Sequence, residues 1–162
     1  MGRYRLASLW AVIVVALDQA SKLWVAATME LWTGFPVIPG FFNLVHVTNR
    51  GAAWGFLASE DIDWQRPLFI AVTFLALGFI TYMLRTAEES DRWMITGLGL
   101  IAGGAVGNLI DRVRLGAVVD FLDFHIGSAH WPAFNVADCA LTAGAGCIIL
   151  SMFINHRRAK TS

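Results

Sequence analysis

The 162-residue chain is 57% apolar, only 15% charged and formally neutral, with a mean hydropathy of +0.60. A soluble domain carries about 25% charged residues, so composition excludes an ordinary soluble domain and points to a membrane α-helical protein. Zero net charge gives no footing to nucleic acid or to an acidic partner. Cys139 and Cys147 lie eight residues apart in one apolar run, about 12 Å of helical rise, too far for a disulfide.

In chain order, Arg3 and Arg5 precede an apolar run that starts at Leu6. This resembles the head of a cleavable leader, but the helical pattern continues past Asp18, Gln19 and Lys22 to Ala27. Residues 6–27 match the ~20 needed to cross a bilayer, so a retained first span is expected. Residues 28–66 change character, with Pro36, Pro39 and Gly40 followed by the β-forming run from Phe41 to Thr48. The glycines and Asn of the next stretch, Asn49 to Phe56, suit a turn or bulge. The segment reads as a small strand module outside the lipid core, its aromatics resting at the interface.

Residues 67–84 form a second span, almost free of polar groups, and 93–110 a third, rich in glycine: Gly97, Gly99, Gly103, Gly104 and Gly107. Such small residues let helix backbones approach closely in lipid. The fourth span is 134–154, followed by a basic tail. The expected architecture is thus one integral membrane domain over residues 1–162. It is a four-transmembrane-helix bundle with a small extracytoplasmic β-strand module between the first two helices.

Seven of the twelve Lys and Arg lie in the N-terminus, the 85–92 loop and the C-terminal tail. The positive-inside rule then places both termini in the cytoplasm. Asp18, Lys22, Asp111, Arg112, Asp120 and Asp138 consequently converge on one layer near the outer face. A charge at the bilayer centre costs at least ~2.5 kcal/mol, so polar groups of this density need a function. Two carboxyls in one site cannot both ionise cheaply. They hold a base and an acid together, the arrangement with which aspartic proteases activate water. Asp120 and Asp138 are the candidate pair.

Five motifs carry a family resemblance: Asp18-Gln-Ala-Ser-Lys22, Val47-Thr-Asn49-Arg-Gly51-Ala-Ala-Trp-Gly55, Gly103-Gly-Ala-Val-Gly-Asn108-Leu-Ile-Asp111-Arg112, Val119-Asp120-Phe and Phe134-Asn135-Val-Ala-Asp138. In that order and topology the chain resembles the lipoprotein signal peptidases, the bacterial signal peptidase II family, over nearly its whole length. Trp54 is a departure, since Phe is the more usual residue there. The resemblance implies a peptidase of the bacterial inner membrane that removes the signal peptide from a prolipoprotein, cutting before the diacylglyceryl cysteine. It implies Asp120 and Asp138 as catalytic residues and Asn49, Asn108, Arg112 and Asn135 as groups that hold substrate or support them. Asp18 and Lys22 match the polar pair of the first helix. No metal or organic cofactor is implied, and globomycin, a cyclic peptide, is the implied inhibitor. A monomer among membrane lipids is the expected form.

Other readings of these residues exist. Asp18 and Lys22, at i and i+4, can simply neutralise one another. Asp111 beside Arg112 reads as an ion pair closing the third helix, and Asn135 as an N-cap. Asp123 sits between Leu122 and Phe124 and is a weak catalytic candidate. His46, His125 and His130 fall on the outer side without a metal-binding spacing. Ser21, Ser59 and Ser128 lack a nucleophile-elbow setting. Trp54 and Phe56 are expected to help the strand module clamp the signal peptide, and the 127–132 loop to act as a flap. The alternative class is a small transporter or proton-pathway protein using the intramembrane Asp, Lys and Arg. Against it, the polar groups gather at one face.

Overall fold

The structure, a computed structural model, describes residues 1–51 and 64–161. Its helices are α1 (Arg3–Thr28), α2 (Gln65–Thr86), α3 (Arg92–Leu115) and α4 (Val136–Thr161). All four are long and apolar enough to cross a membrane. Their outward faces carry large apolar side chains such as Leu17, Leu75, Phe79 and Ile149, as lipid contact requires. The four helices cover the stretches expected as spans, with shifted ends. The third helix runs on past Ile110, so Asp111 and Arg112 lie inside its last turns. It stops where Gly116 takes the left-handed conformation (φ 76°) that closes helices.

α3 is the central helix: α1, α2 and α4 all pack on it. Its glycines explain how. A Cβ at Gly103 would stand 2.9 Å from the Ala11 backbone on α1, and one at Gly104 would stand 2.5 Å from the Ala137 carbonyl on α4. Backbones this close gain dispersion contacts that larger residues forbid. α2 packs mainly on α3 and buries little; only Gln65 and Ile80 are fully covered.

The expected strand module is present as β1 (Thr33–Ile38) and β2 (Phe42–Asn49), but it is half of a larger sheet. β3 (Val118–Ile126) and β4 (Ala129–His130), from the connection between α3 and α4, complete an antiparallel sheet in the order β1-β2-β3-β4. At the opposite end of the bundle, Arg3 pairs with Glu89 at 3.3 Å and Arg92 donates to the Met1 carbonyl at 2.7 Å. There Ser151 and Asn155 of α4 also donate to Asp91, at 2.6 and 2.8 Å. The N-terminus, the α2–α3 connection and the later turns of α4 therefore share one end, and the sheet lies at the other.

Candidate active site

Asp120 is placed by a one-residue irregularity in the sheet. Asn43 and Leu44 of β2 face Asp123 and Leu122, but Val47 and Asn49 face Asp120 and Val118, so β2 takes up one extra residue between Leu44 and Val47. Because side chains alternate, a one-residue slip exchanges the faces of a strand. Without the bulge, Asn49 would project from the face opposite Asp120. With it, the two are diagonal neighbours on one face and their side chains hydrogen-bond. Asn49 Oδ1 accepts from the Gly51 N–H at 2.9 Å, which leaves Nδ2 to donate to Asp120.

The segment entering α4 supplies the second carboxyl. Phe134 lies along β3 as a short bridge, its carbonyl accepting from the Leu122 N–H at 2.9 Å. This brings the next residue, Asn135, against Asp120. Asn135 Nδ2 donates to Asp120 Oδ1 at 2.7 Å, while its Oδ1 accepts from the Asp138 N–H at 3.0 Å. The Asn135 N–H returns a bond to Asp138 Oδ2 at 3.3 Å. That reciprocal pattern is a capping box across the first turn of α4. Asn108 Nδ2 on α3 donates to the other oxygen, Asp138 Oδ1, at 2.9 Å. A single fully buried asparagine thus touches both carboxylates.

Behind them, the Lys22 ammonium is buried with three acceptors, Asp18 Oδ2, Asp111 Oδ2 and Asn108 Oδ1, each at 2.9 Å. The expected Asp18–Lys22 pair is therefore real. The expected Asp111–Arg112 pair is corrected: Asp111 pairs with Lys22. Consecutive helical residues point about 100° apart, so Asp111 turns inward while Arg112 points elsewhere. Arg112 lies over the Phe69 ring at 4.8 Å and donates to the Gly51 carbonyl at 3.3 Å. Its Nε is buried and, among the described residues, has no hydrogen-bond partner.

Asp120, Asp138, Asn49, Asn108 and Arg112 line one cavity of about 680 Å³, which Trp131 to Phe134 and the first turns of α4 complete. Asp120 is 3% exposed. Burial pushes its carboxyl up to about 7, and the charge of Asp138 adds to the push; the Asn135 bond, the Lys22 ammonium and the Asn49 bond pull the other way. A carboxyl that changes protonation near neutral pH can hold a proton and release it in turn.

The remaining candidates fall outside this cavity. Asp123 accepts from Asn43 Nδ2 at 2.8 Å and meets His130 Nδ1 at 2.8 Å. His46 Nδ1 meets the Met29 carbonyl at 2.9 Å, and the Ser21 hydroxyl donates to the Asp18 carbonyl at 2.9 Å. Among the described residues no group of His, Cys, Asp and Glu is placed to hold a metal. Trp54, Gly55, Phe56 and Ser59 lie outside the described residues. Sequence reasoning passed over Gln19, whose amide donates to Asp18 Oδ2, the Gly107 carbonyl and Asp111 Oδ1 at 3.1–3.2 Å. Its place inside the Asp18–Lys22 motif was the available signal.

A family model described as Signal peptidase (SPase) II matches residues 10–154. The lipoprotein signal peptidase of Maridesulfovibrio salexigens is 54% identical over 155 residues, covering 96% of this chain and 99% of that protein. That of Geobacter metallireducens is 45% identical, covering 96% and 94%. The fold is similar to a solved bacterial membrane enzyme determined by the in meso method at 2.3 Å, with a TM-score of 0.82 and 37% identity over 93% of this chain and 88% of that one. With the family model spanning most of its length and relatives this similar at full coverage, the chain belongs to the signal peptidase II family of membrane peptidases.

Proposed function

We propose that this peptidase removes the signal peptide from lipid-modified prolipoproteins, cutting before the diacylglyceryl cysteine, with Asp120 and Asp138 jointly activating water. The observation that carries this reading is the pair of carboxylates bridged by Asn135 over a single cavity. Asp120, buried on β3, holds the shared proton and polarises the scissile carbonyl. Asp138 takes a proton from water as the oxygen adds to the carbonyl carbon, then passes it to the leaving nitrogen as the C–N bond breaks. Arg112 and Asn49, both lining the cavity, hold the substrate backbone.

The same reading extends to orientation, assembly and inhibition. The basic residues cluster at the end holding both the N-terminus and the later turns of α4, which supports cytoplasmic termini and a site near the periplasmic face of the inner membrane. A diacylglyceryl anchor would deliver the scissile bond to that depth. In this proposal the chain works as a monomer in lipid. Globomycin-like cyclic peptides occupy the same cavity as competitors of substrate. The test is Asp120→Asn and Asp138→Asn, each assayed on a peptide carrying diacylglyceryl cysteine. Both variants should lose cleavage by about 1,000-fold while remaining folded. Cleavage retained in both would overturn the paired-carboxylate mechanism.

A further inference from the structure

The geometry points to Lys22 as the positioning residue that sets the separation of Asp120 and Asp138, an inference that rests on the paired-carboxylate reading above. The ammonium has three donors, and each is bound to a group that leads to one of the two aspartates. Asp111 Oδ2, on Lys22 at 2.9 Å, also accepts from the Val119 N–H at 3.1 Å, one residue before Asp120. Asp18 bonds Lys22 through Oδ2 and accepts from the Ala137 N–H through Oδ1 at 2.9 Å, one residue before Asp138. Asn108 gives its carbonyl oxygen to Lys22 and its amide nitrogen to Asp138 Oδ1, both at 2.9 Å. Ammonium accepts nothing, so Lys22, with the Asn135 amide that donates to the same oxygen at 3.2 Å, fixes which end of the Asn108 amide faces Asp138.

One side chain on α1 thereby ties the start of β3 to the start of α4. Charge neutralisation alone does not account for this. Two carboxylates share the one ammonium, so the formal charge of the cluster is not balanced, and the i,i+4 partner Asp18 would suffice for a local pair. The glycine pattern supports the same view: a Cβ at Gly107 would stand 2.6 Å from Asp18 Oδ2. α3 is bare there, and the tether from Asp18 to α4 passes across it. The groups facing Lys22 are Asp18 on its own helix and Asn108 and Asp111 on α3; Asp120 on β3 feels its charge.

The experiment compares full-length wild type, Lys22→Met and the double variant Lys22→Met with Asp18→Asn, using the diacylglyceryl-cysteine peptide. The double variant keeps the wild-type formal charge of the cluster, and the amide introduced by Asp18→Asn still offers an acceptor oxygen to the Ala137 N–H. Loss of the tether should lower kcat by about 100-fold, the effect of misplacing a reacting group by about 1 Å, with KM within about three-fold. The alkaline limb of the pH–rate profile should move upward, because the ammonium that favours ionised Asp120 is gone. A folded double variant with kcat within about ten-fold of wild type and an unmoved limb would overturn the assignment. A double variant that does not reach the wild-type fold would overturn it too, by making Lys22 a residue of the fold and not of the site. Cleavage retained by both Asp120→Asn and Asp138→Asn would instead remove the paired-carboxylate mechanism itself, so the two failures are distinguishable.

Discussion

Asn135 and Asp138 cap each other across the first turn of α4, the Asp138 N–H donating to Asn135 Oδ1 at 3.0 Å and the Asn135 N–H to Asp138 Oδ2 at 3.3 Å. A helix start therefore doubles as the mount of a proposed catalytic group, and the same asparagine reaches Asp120 at 2.7 Å. Asn135→Ala should lose about 1 kcal/mol of stability from the cap and at least ~100-fold in kcat from the freed carboxylates. Asn135→Ser keeps a capping oxygen but loses the amide donor to Asp120. It should regain stability without regaining kcat, a separation that thermal melts and steady-state kinetics on the same preparations would show.

The pH dependence follows from Asp120. Its carboxyl titrates near 7, so kcat/KM should fall as pH rises through that value and the proton is lost. Asn49→Ala removes a bond that favours the ionised form; the alkaline limb should then move to higher pH.

Stability carries the opposite signature to an ordinary aspartate. A group whose folded pKa is raised favours the folded state at low pH and penalises it as pH rises from about 4 through about 7. Asp120→Asn removes the penalty. Relative to wild type, its melting temperature should be higher at pH 8 than at pH 5, and a constant difference across that range would contradict the assignment.

Helix contact distances give a paired test of the glycines. A Cβ at Gly104 would stand 2.5 Å from the Ala137 carbonyl, whereas one at Gly78 meets nothing within 4 Å. Gly104→Ala should destabilise by about 1–3 kcal/mol and lower activity, because α4 carries Asp138 away with it. Gly78→Ala should be neutral or stabilising by up to about 1 kcal/mol. Unfolding in detergent, followed by circular dichroism, distinguishes them.

At the β3–β4 hairpin, Asp123 meets His130 Nδ1 at 2.8 Å and Asn43 Nδ2 at 2.8 Å. Burial raises the Asp123 carboxyl, but the bonds from His130 and Asn43 outweigh it and hold the group below the usual carboxylate range. A depressed folded pKa stabilises above the unfolded value and is lost as pH falls through the folded one. The hairpin should loosen below about pH 4, seen as a change in Trp131 emission, and Asp123→Asn should abolish that transition. With His130 half exposed, the pair contributes less than about 1 kcal/mol.

Sequence alone determined the four spans, the strand-forming stretch and the identity of the polar layer. These depend on local quantities: the length of apolar runs, β-branched and aromatic content, and charges that lipid tolerates only for a reason. The Asn135 cap was also legible, because capping partners lie three residues apart. The partner of Asp111 was not, since adjacency in sequence to Arg112 is separation on a helix. Nor was the origin of half the sheet in the α3–α4 connection. The extra residue in β2 that turns Asn49 toward Asp120, and the bonds of Lys22 to α3, join residues up to 89 positions apart. Only the tertiary structure decided those, because strand register and the roll of one helix on another are set by packing between distant segments and leave no local pattern.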